Sequence, residues 1–243
     1  MATFSNQKLQ RLVHVDLSKK GSVDDALIDI VDLINSLPQY FTTSSCSGRI
    51  ILFENHSDEV QKKGCKWLYV SHDPVQLENI SEALKDAENV TTLKFEPMVM
   101  HIQCQTLESA QKMHQAAVSS GFRNSGITIG TKGKIMMAVR STHSLEAPLA
   151  SEGQVLVSSE YIQFLIKNAN TKMEENFRRI TRFHKLLETL SPCEQCHQSL
   201  NGTAKKTRLF DRDADKSLKQ DNRNQNKPEE EDEDLALFMF DIT

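Results

Sequence analysis

Apolar side chains recur at two periods between residues 20 and 190, and the switching between them predicts a mixed chain of helices and strands. Val23, Leu27, Ile30, Val31 and Ile34 fall on one stripe behind Gly21-Ser22, which predicts an amphipathic helix over 23–36. Phe41–Ser45 and Ile50–Phe53 read as strands on either side of a polar turn, SCSGR, and Trp67–Ser71 as a third. A helix is expected near 75–88. Thr91–Phe95 and Met98–Cys104 then read as strands separated at Pro97. Leu107, Ala110, Met113 and Ala117 mark a helix over 106–119, with Gly121 as its stop. Ile127–Ile129 and Ile135–Val139 form a hairpin around Thr131-Lys132-Gly133, and a long helix runs from about 158 to 190.

An internal echo crosses this pattern. SCSGRIILF followed by KWLYVSH resembles NSGITIG followed by KIMMAVRSTH. It predicts a single α+β domain over 1–190, with a mixed or antiparallel sheet and two related α-β-β units whose Ser-Gly turns face one cleft. No glycine-rich turn joins a strand to a helix and no P-loop is present, which argues against a Rossmann-type architecture.

Composition changes the picture after residue 190. Residues 191–243 are polar and charged until their last few positions, and are expected to be a disordered tail. Residues 205–243 carry 8 Lys/Arg against 11 Asp/Glu. The sequence EEEDEDLALFMFDI, an apolar patch after an acidic run, reads as a docking motif for a protein partner. CEQCH at 193–197 has metal or haem spacing but lacks a second ligand pair, so no metal site is expected. The five cysteines are expected to be free thiols. The first 25 residues lack the apolar stretch of a leader, and no run approaches the roughly 18 apolar residues that span a bilayer, so a cytoplasmic protein is expected.

The net charge is −4, so any surface for a polyanion has to be local. Ser109 to Leu145 contains Lys112, Arg123, Lys132, Lys134 and Arg140 and no Asp or Glu. That is the electrostatic footprint expected for RNA, with Lys132 and Lys134 as candidate contacts. TTSSCSGR at 42–49 can form an anion-binding nest, with Arg49 supplying a permanent planar cation. A solvated polar turn explains the same string equally well. GFRNSG at 121–126 repeats the theme with Arg123, Asn124 and Ser125, though a helix stop and turn use the same residue types. His72, His101 and Glu96 are candidate bases, although a lone histidine near a strand is more often structural; Phe95 and Pro97 can desolvate Glu96, which is equally readable as an exposed strand end.

TTSSCSGR, WLYVSH, LKFEP, HIQC, SGFRNSGIT, AVRSTH, APL and KMEEN, in this order, resemble the tRNA wybutosine-synthesizing protein 3 family over about residues 17–188. The resemblance implies an α+β methyltransferase that moves a methyl group from S-adenosylmethionine to N4 of 7-aminocarboxypropyl-demethylwyosine. That base is the modified guanosine beside the anticodon of tRNA(Phe). The implied site residues are Ser44, Ser45, Cys46, Gly48, Arg49, His101, Arg123, Asn124, Ser125, Gly126 and Arg140, with His72 and Glu96 as catalytic candidates. Two other classes remain open on the residues alone. One is a non-catalytic tRNA-binding module. The other is an enzyme with Cys46 as nucleophile, its pKa lowered by Arg49, and a histidine base.

Overall fold

A computed structural model describes residues 3–13, 22–55 and 65–190. The predicted tail, the CEQCH spacing and the acidic docking motif lie outside the described residues. Helix α1 is Phe4–Val13, and a 3-10 turn leads into α2, Ile28–Ser36. Strands β1 (Tyr40–Asn55) and β2 (Lys66–Ser71) precede α3, Leu77–Ala83. Then come β3 (Val90–Cys104), α4 (Leu107–Ser120), β4 (Gly126–Ile129), β5 (Ile135–Val139), β6 (Leu145–Ser151), β7 (Gln154–Val155) and α5 (Ser159–Glu188). The strands form one antiparallel sheet in the order β2-β1-β3-β5-β4, with β6 also on β3 and β7 on β6. The fold is thus α+β, and its sheet is not doubly wound.

Two expected breaks are strand interior instead. SCSGR lies inside the 16-residue β1, and Pro97 lies inside the 15-residue β3. Gly48 pairs with Pro97 across the two strands. At this pair the side-chain alternation of both strands slips by one residue while their mutual register holds; the register shift of the pair lies between Thr42 and Ser44. Buried positions facing the helices step by three instead of two, from Ile50 to Ser47 on β1 and from Phe95 to Met98 on β3. Because both slip together, alternation resumes in register on each side. Gly48 takes φ 101°, open to glycine and strained for other residues. On the far side of β3, β5 pairs with 100–104 and β6 with 91–95. Pro97 falls in the stretch between them, where a missing N–H costs no ladder bond on that side.

Helices α2 to α5 cover one face of the sheet and divide its core in two. Ile50, Leu52, Leu93, Phe95 and Leu149 pack against Ile80 and against Ile162, Ile166 and Met173 of α5. Met98, Met100, Ile102, Met137 and Val139 pack against α2 and α4 and against Ile180, Phe183 and Leu187 of α5. Asn176 sits on the same buried stripe of α5, between Met173 and Ile180, at 0% exposure. Its Oδ1 accepts from the Met98 N–H at 2.8 Å and its Nδ2 donates to the Ser47 carbonyl at 2.7 Å. The side chain therefore closes backbone groups that the slip would leave buried and unpaired.

The expected hairpin at 126–139 forms, and Gly121 ends α4 in the left-handed region at φ 106°. The two α-β-β units differ in order. The first strand of the first unit, β1, lies inside the sheet beside β3, whereas that of the second, β4, lies at the edge. Helix α1 carries no buried residue, which is why the apolar pattern did not mark it. It lies across the opposite face at one end: Phe4 meets Phe41 at 5.3 Å between ring centroids, and Gln103 Nε2 donates to Gln7 Oε1 at 2.6 Å.

Candidate functional site

The slip places Arg49 and Glu96 directly across from each other on the face away from the core. Arg49 Nε donates to Glu96 Oε2 at 2.8 Å, and its guanidinium lies 4.6 Å from the Trp67 ring centroid. Lys94 Nζ sits 3.2 Å from Glu96 Oε1 and 3.4 Å from Glu146 Oε2. Burial pulls the Lys94 pKa down, but the two carboxylates pull harder and hold it above the ordinary lysine value. Glu96 is thus gripped by two cations, in contrast to the apolar setting that its Phe and Pro neighbours implied.

Beside this cluster the chain from β5 to β6 crosses the gap left by Pro97. Cys46, Arg49, Lys94, Glu96, Pro97, Met98, Val99, Asn124, Arg140, Ser141 and Ser144 line a cavity of about 460 Å³ there. A volume of this order suits a small-molecule ligand, which ordinarily takes about 300–1,000 Å³. The segments around 46–49 and 124–126 are thus brought to one cavity. Ser125 and Gly126 serve it from behind. Ser125 Oγ accepts from the Arg140 N–H at 3.1 Å and donates to the Phe122 carbonyl at 2.7 Å, fixing the bend that carries Arg140. A Cβ on Gly126 would stand 3.8 Å from the Arg140 guanidinium.

Arg140 Nε is buried with no hydrogen-bond partner, although a guanidinium has five N–H groups to satisfy. It is therefore suited to an anion entering the cavity. The lining offers a cation for a carboxylate in Arg140, a carboxylate for an ammonium or hydroxyls in Glu96, and an amide for either edge of a base in Asn124.

Other expected residues stand apart from the cavity lining. Ser44 Oγ and His101 Nδ1 meet at 3.0 Å further along the same face. Arg123 is exposed beyond the α4 stop, Ser45 is half-buried in β1, and Gly48 acts through the slip. Lys132 and Lys134 are exposed at the tip of the β4–β5 hairpin. His72 Nδ1 lies 2.9 Å from the Gly48 carbonyl, 3.3 Å from Ser47 Oγ and 3.5 Å from Asp24 Oδ2, and Asp24 in turn accepts from the Ser47 N–H at 2.8 Å. These bonds pin the slipped backbone from below. Asp24, Cys46 and His72 are, among the described residues, the group whose donor atoms lie close enough to share a cation, all within 4.8 Å. Those contacts already engage Asp24 and His72 within the protein.

The expected activation of Cys46 is not what the environment produces. Burial pushes the thiol up, and this outweighs the downward pull of a Gly48 backbone hydrogen bond and of Arg49. A protonated buried thiol is a poor nucleophile.

Sequence reasoning missed a second layer. Arg179 NH1 donates to the Gly121 carbonyl at 3.2 Å and to Ser141 Oγ at 2.8 Å, and approaches His143 Nδ1 at 3.1 Å. Arg182 Nε donates to the Ser120 carbonyl at 3.1 Å. Glu175 accepts from Arg178, Arg179 and Arg182, each at 3.0 Å, which brings its carboxyl down to about 2. Arg179 thereby ties the end of α4 to the 140–144 crossing. The available signal was polar residues on the inner stripe of a long helix, namely Asn176 inside KMEENFRR.

A slipped antiparallel sheet carrying a cation-rich cavity on its open face sets this chain apart from cofactor-binding folds built on a strand–glycine turn–helix. The family model described as Methyltransferase TYW3 matches residues 5–189, and the chain belongs to that family. It is a methyltransferase. Similar proteins include the tRNA wybutosine-synthesizing protein 3 homologs of Xenopus laevis and Homo sapiens. The first is 53% identical, covering 79% of this chain and 78% of the relative; the second is 51% identical, covering 77% and 73%. Among solved structures, the PH1069 protein from Pyrococcus horikoshii is similar with a TM-score of 0.70 and 32% identity, covering 76% of this chain and 96% of that one. No helix among the described residues is long and apolar enough to cross a membrane.

Proposed function

We propose that this enzyme takes S-adenosylmethionine as donor and methylates N4 of the 7-aminocarboxypropyl-demethylwyosine of tRNA(Phe), using the 460 Å³ cavity as its reaction site. Family membership makes it a tRNA methyltransferase of wybutosine biosynthesis. The observation that carries the finer reading is the buried, unpartnered Arg140 Nε beside the paired Arg49–Glu96. Donor and substrate each end in an amino-acid head, and both heads need a cation for the carboxylate.

When bound, S-adenosylmethionine supplies a methyl group already activated by a sulfonium. The protein's task is then mainly positioning, which in oriented systems accounts for about 7–11 kcal/mol of a barrier. Arg140 holds one carboxylate, and Ser125 fixes the backbone from which Arg140 projects. Glu96 is the carboxylate among the cavity-lining residues, and its Oε atoms receive the proton that N4 gives up. Arg49 and Lys94 hold its two oxygens in place, and a nitrogen that has gained a methyl group is acidic enough to pass its proton to a carboxylate. His72 is set back behind Gly48 and holds the strand in place. Lys132 and Lys134 meet the RNA backbone.

The test is calorimetric titration of S-adenosylmethionine, followed by methyl transfer to tRNA bearing the precursor base. Arg140→Ala is expected to weaken donor or substrate binding about 10- to 100-fold, the worth of a lost charge-assisted hydrogen bond. Wild-type protein that fails to bind S-adenosylmethionine, or an Arg140→Ala variant with unchanged binding and transfer, refutes the reading.

A further inference from the structure

A second cavity, of about 250 Å³, opens on the same open face where α1 crosses the sheet. It is lined by Gln7, Gln10 and Arg11 of α1, Phe41 and Thr43 of β1, Gln103 of β3, and Lys134 before β5. Two of these carry positive charge, three carry amides, and none is an acid. Helix α1 itself contains no Asp or Glu. Arg11 is held by the Thr43 carbonyl and Lys8 by that of Leu37, so the helix is anchored by neutral backbone acceptors.

We propose that Arg11 and Lys134 form a binding site for a backbone phosphate of the RNA, at the far end of a track whose near end is the methyl-transfer cavity. The proposal rests on the tRNA methyltransferase reading above and extends it to helix α1, by pairing Arg11 with the Lys134 that reading already assigns to the RNA backbone. Like charges gathered in a concave site without a carboxylate repel, and a phosphate entering between them relieves that repulsion while accepting hydrogen bonds from both. The Lys134 amine shows the same tension: although the residue is exposed overall, partial burial of the amine and then the Arg11 charge lower its pKa.

The layout suits a nucleic-acid chain. Glu96 in the first cavity and Gln103 in the second, both on β3, are seven residues or roughly 23 Å apart, whereas the facing rims, Cys46 and Thr43 on β1, are three residues or roughly 10 Å apart. A single-stranded RNA loop with one base in the first cavity carries its neighbouring backbone over the second. Loop recognition commonly splays one base into a pocket while flanking phosphates are held by cations. The face between the cavities carries His101 and Ser44, which are polar and hydrogen-bonded to each other.

The experiment uses the full chain and measures binding of tRNA carrying the precursor base across a salt series. The variants are Arg11→Ala/Lys134→Ala and the conservative Arg11→Lys/Lys134→Arg, with thermal melting to confirm folding. The alanine pair is expected to bind tRNA about 10- to 100-fold more weakly, with the slope of log affinity against log salt shallower by about one to two. The conservative pair is expected to recover most of the affinity and slope, which a purely structural role would not predict. Titration of S-adenosylmethionine without RNA separates the two claims. A wild type that binds tRNA but neither binds S-adenosylmethionine nor methylates refutes the function and leaves the phosphate site standing. A wild type that methylates, beside an alanine pair with unchanged tRNA affinity and slope, refutes the site alone. Tight saturation by inorganic phosphate with no change in tRNA binding would assign the site to a small anion and overturn the proposal.

Discussion

Replacing Gly48 with alanine tests the geometry on which the site depends. A Cβ built there stands 2.9 Å from Asn176 Nδ2, 3.0 Å from the Glu96 carbonyl and 3.1 Å from the Met98 nitrogen. Two of the three are backbone atoms of β3 and cannot rotate away. The third belongs to the amide that closes the slip through Met98 and Ser47. Two costs add. An alanine at φ 101° carries about 1–3 kcal/mol of backbone strain. Losing even one of the Asn176 bonds, with its partner still buried, adds about 1–3 kcal/mol. Together they come to about 2–6 kcal/mol, a large part of the roughly 5–15 kcal/mol that stabilises a typical domain. Urea denaturation reads the loss directly. Asn176→Ala removes the nearest clashing atom as well as both bonds, so the Gly48→Ala/Asn176→Ala pair should be less destabilised than the sum of the singles by at least about 1 kcal/mol. A Gly48→Ala protein within about 1 kcal/mol of wild type, or strict additivity in the pair, would show that the slip is not held as described.

Three further outcomes follow from the electrostatics. Burial and the neighbouring Arg179 charge lower the His143 pKa from 6.5 to about 4. The folded chain therefore refuses a proton that the unfolded chain accepts, so stability is full above pH 6.5 and declines as pH falls towards 4. The unscreened span is about 3 kcal/mol, reduced to about 1–2 kcal/mol for a half-buried group; His143→Gln should flatten urea midpoints across that window. Glu175→Gln weakens the acceptor shared by three arginines and is expected to cost about 1–2 kcal/mol at pH 7. Because the Glu175 carboxyl sits at about 2, the wild-type advantage should persist down to about pH 4.5 and vanish only as pH falls through 2. Cys46, buried with a raised pKa, should alkylate more slowly at neutral pH than half-buried Cys65 in a peptide-mapped time course. Faster labelling of Cys46 would revive the nucleophile reading.

What the sequence disclosed and what it hid follow from one physical distinction. Amphipathic helices declare themselves by period, and α2, α4 and α5 lie close to where Val23–Ile34, Leu107–Ala117 and Tyr161–Ala169 placed them. The β4–β5 hairpin and the Gly121 stop are local chemistry and were equally legible. TTSSCSGR was misread because glycine and small hydroxyl residues favour turns wherever the chain is free. Only the pairing of Gly48 with Pro97, 49 positions on, makes the same residues strand interior. The Arg49–Glu96 pair is non-local in the same way. Of the two Ser-Gly segments, Cys46, Arg49 and Asn124 line the cavity, whereas Ser45, Gly48, Ser125 and Gly126 do not. His72 failed as a cavity residue because its partners, Asp24 and Gly48, come from two other segments that no spacing rule connects.

The slip also explains why the site lies in the middle of the sheet, when clefts more often form at strand ends. A regular antiparallel pair presents alternating side chains and no concavity. Here both strands lose one step of pleat at the same level, and the β5–β6 gap opens beside it on β3. The cost of that dislocation falls on the helix side, where Asn176 and Asp24 absorb the displaced backbone groups. The open side is then free to hold charge. It does so without apolar burial, since Arg49, Glu96 and Lys94 neutralise one another and leave Arg140 unsatisfied. Positions 24, 48, 97 and 176 therefore answer for backbone closure, and 49, 96 and 140 for ligand charge. A substitution in the first set should lower stability and binding together, whereas one in the second should lower binding while the urea midpoint barely moves.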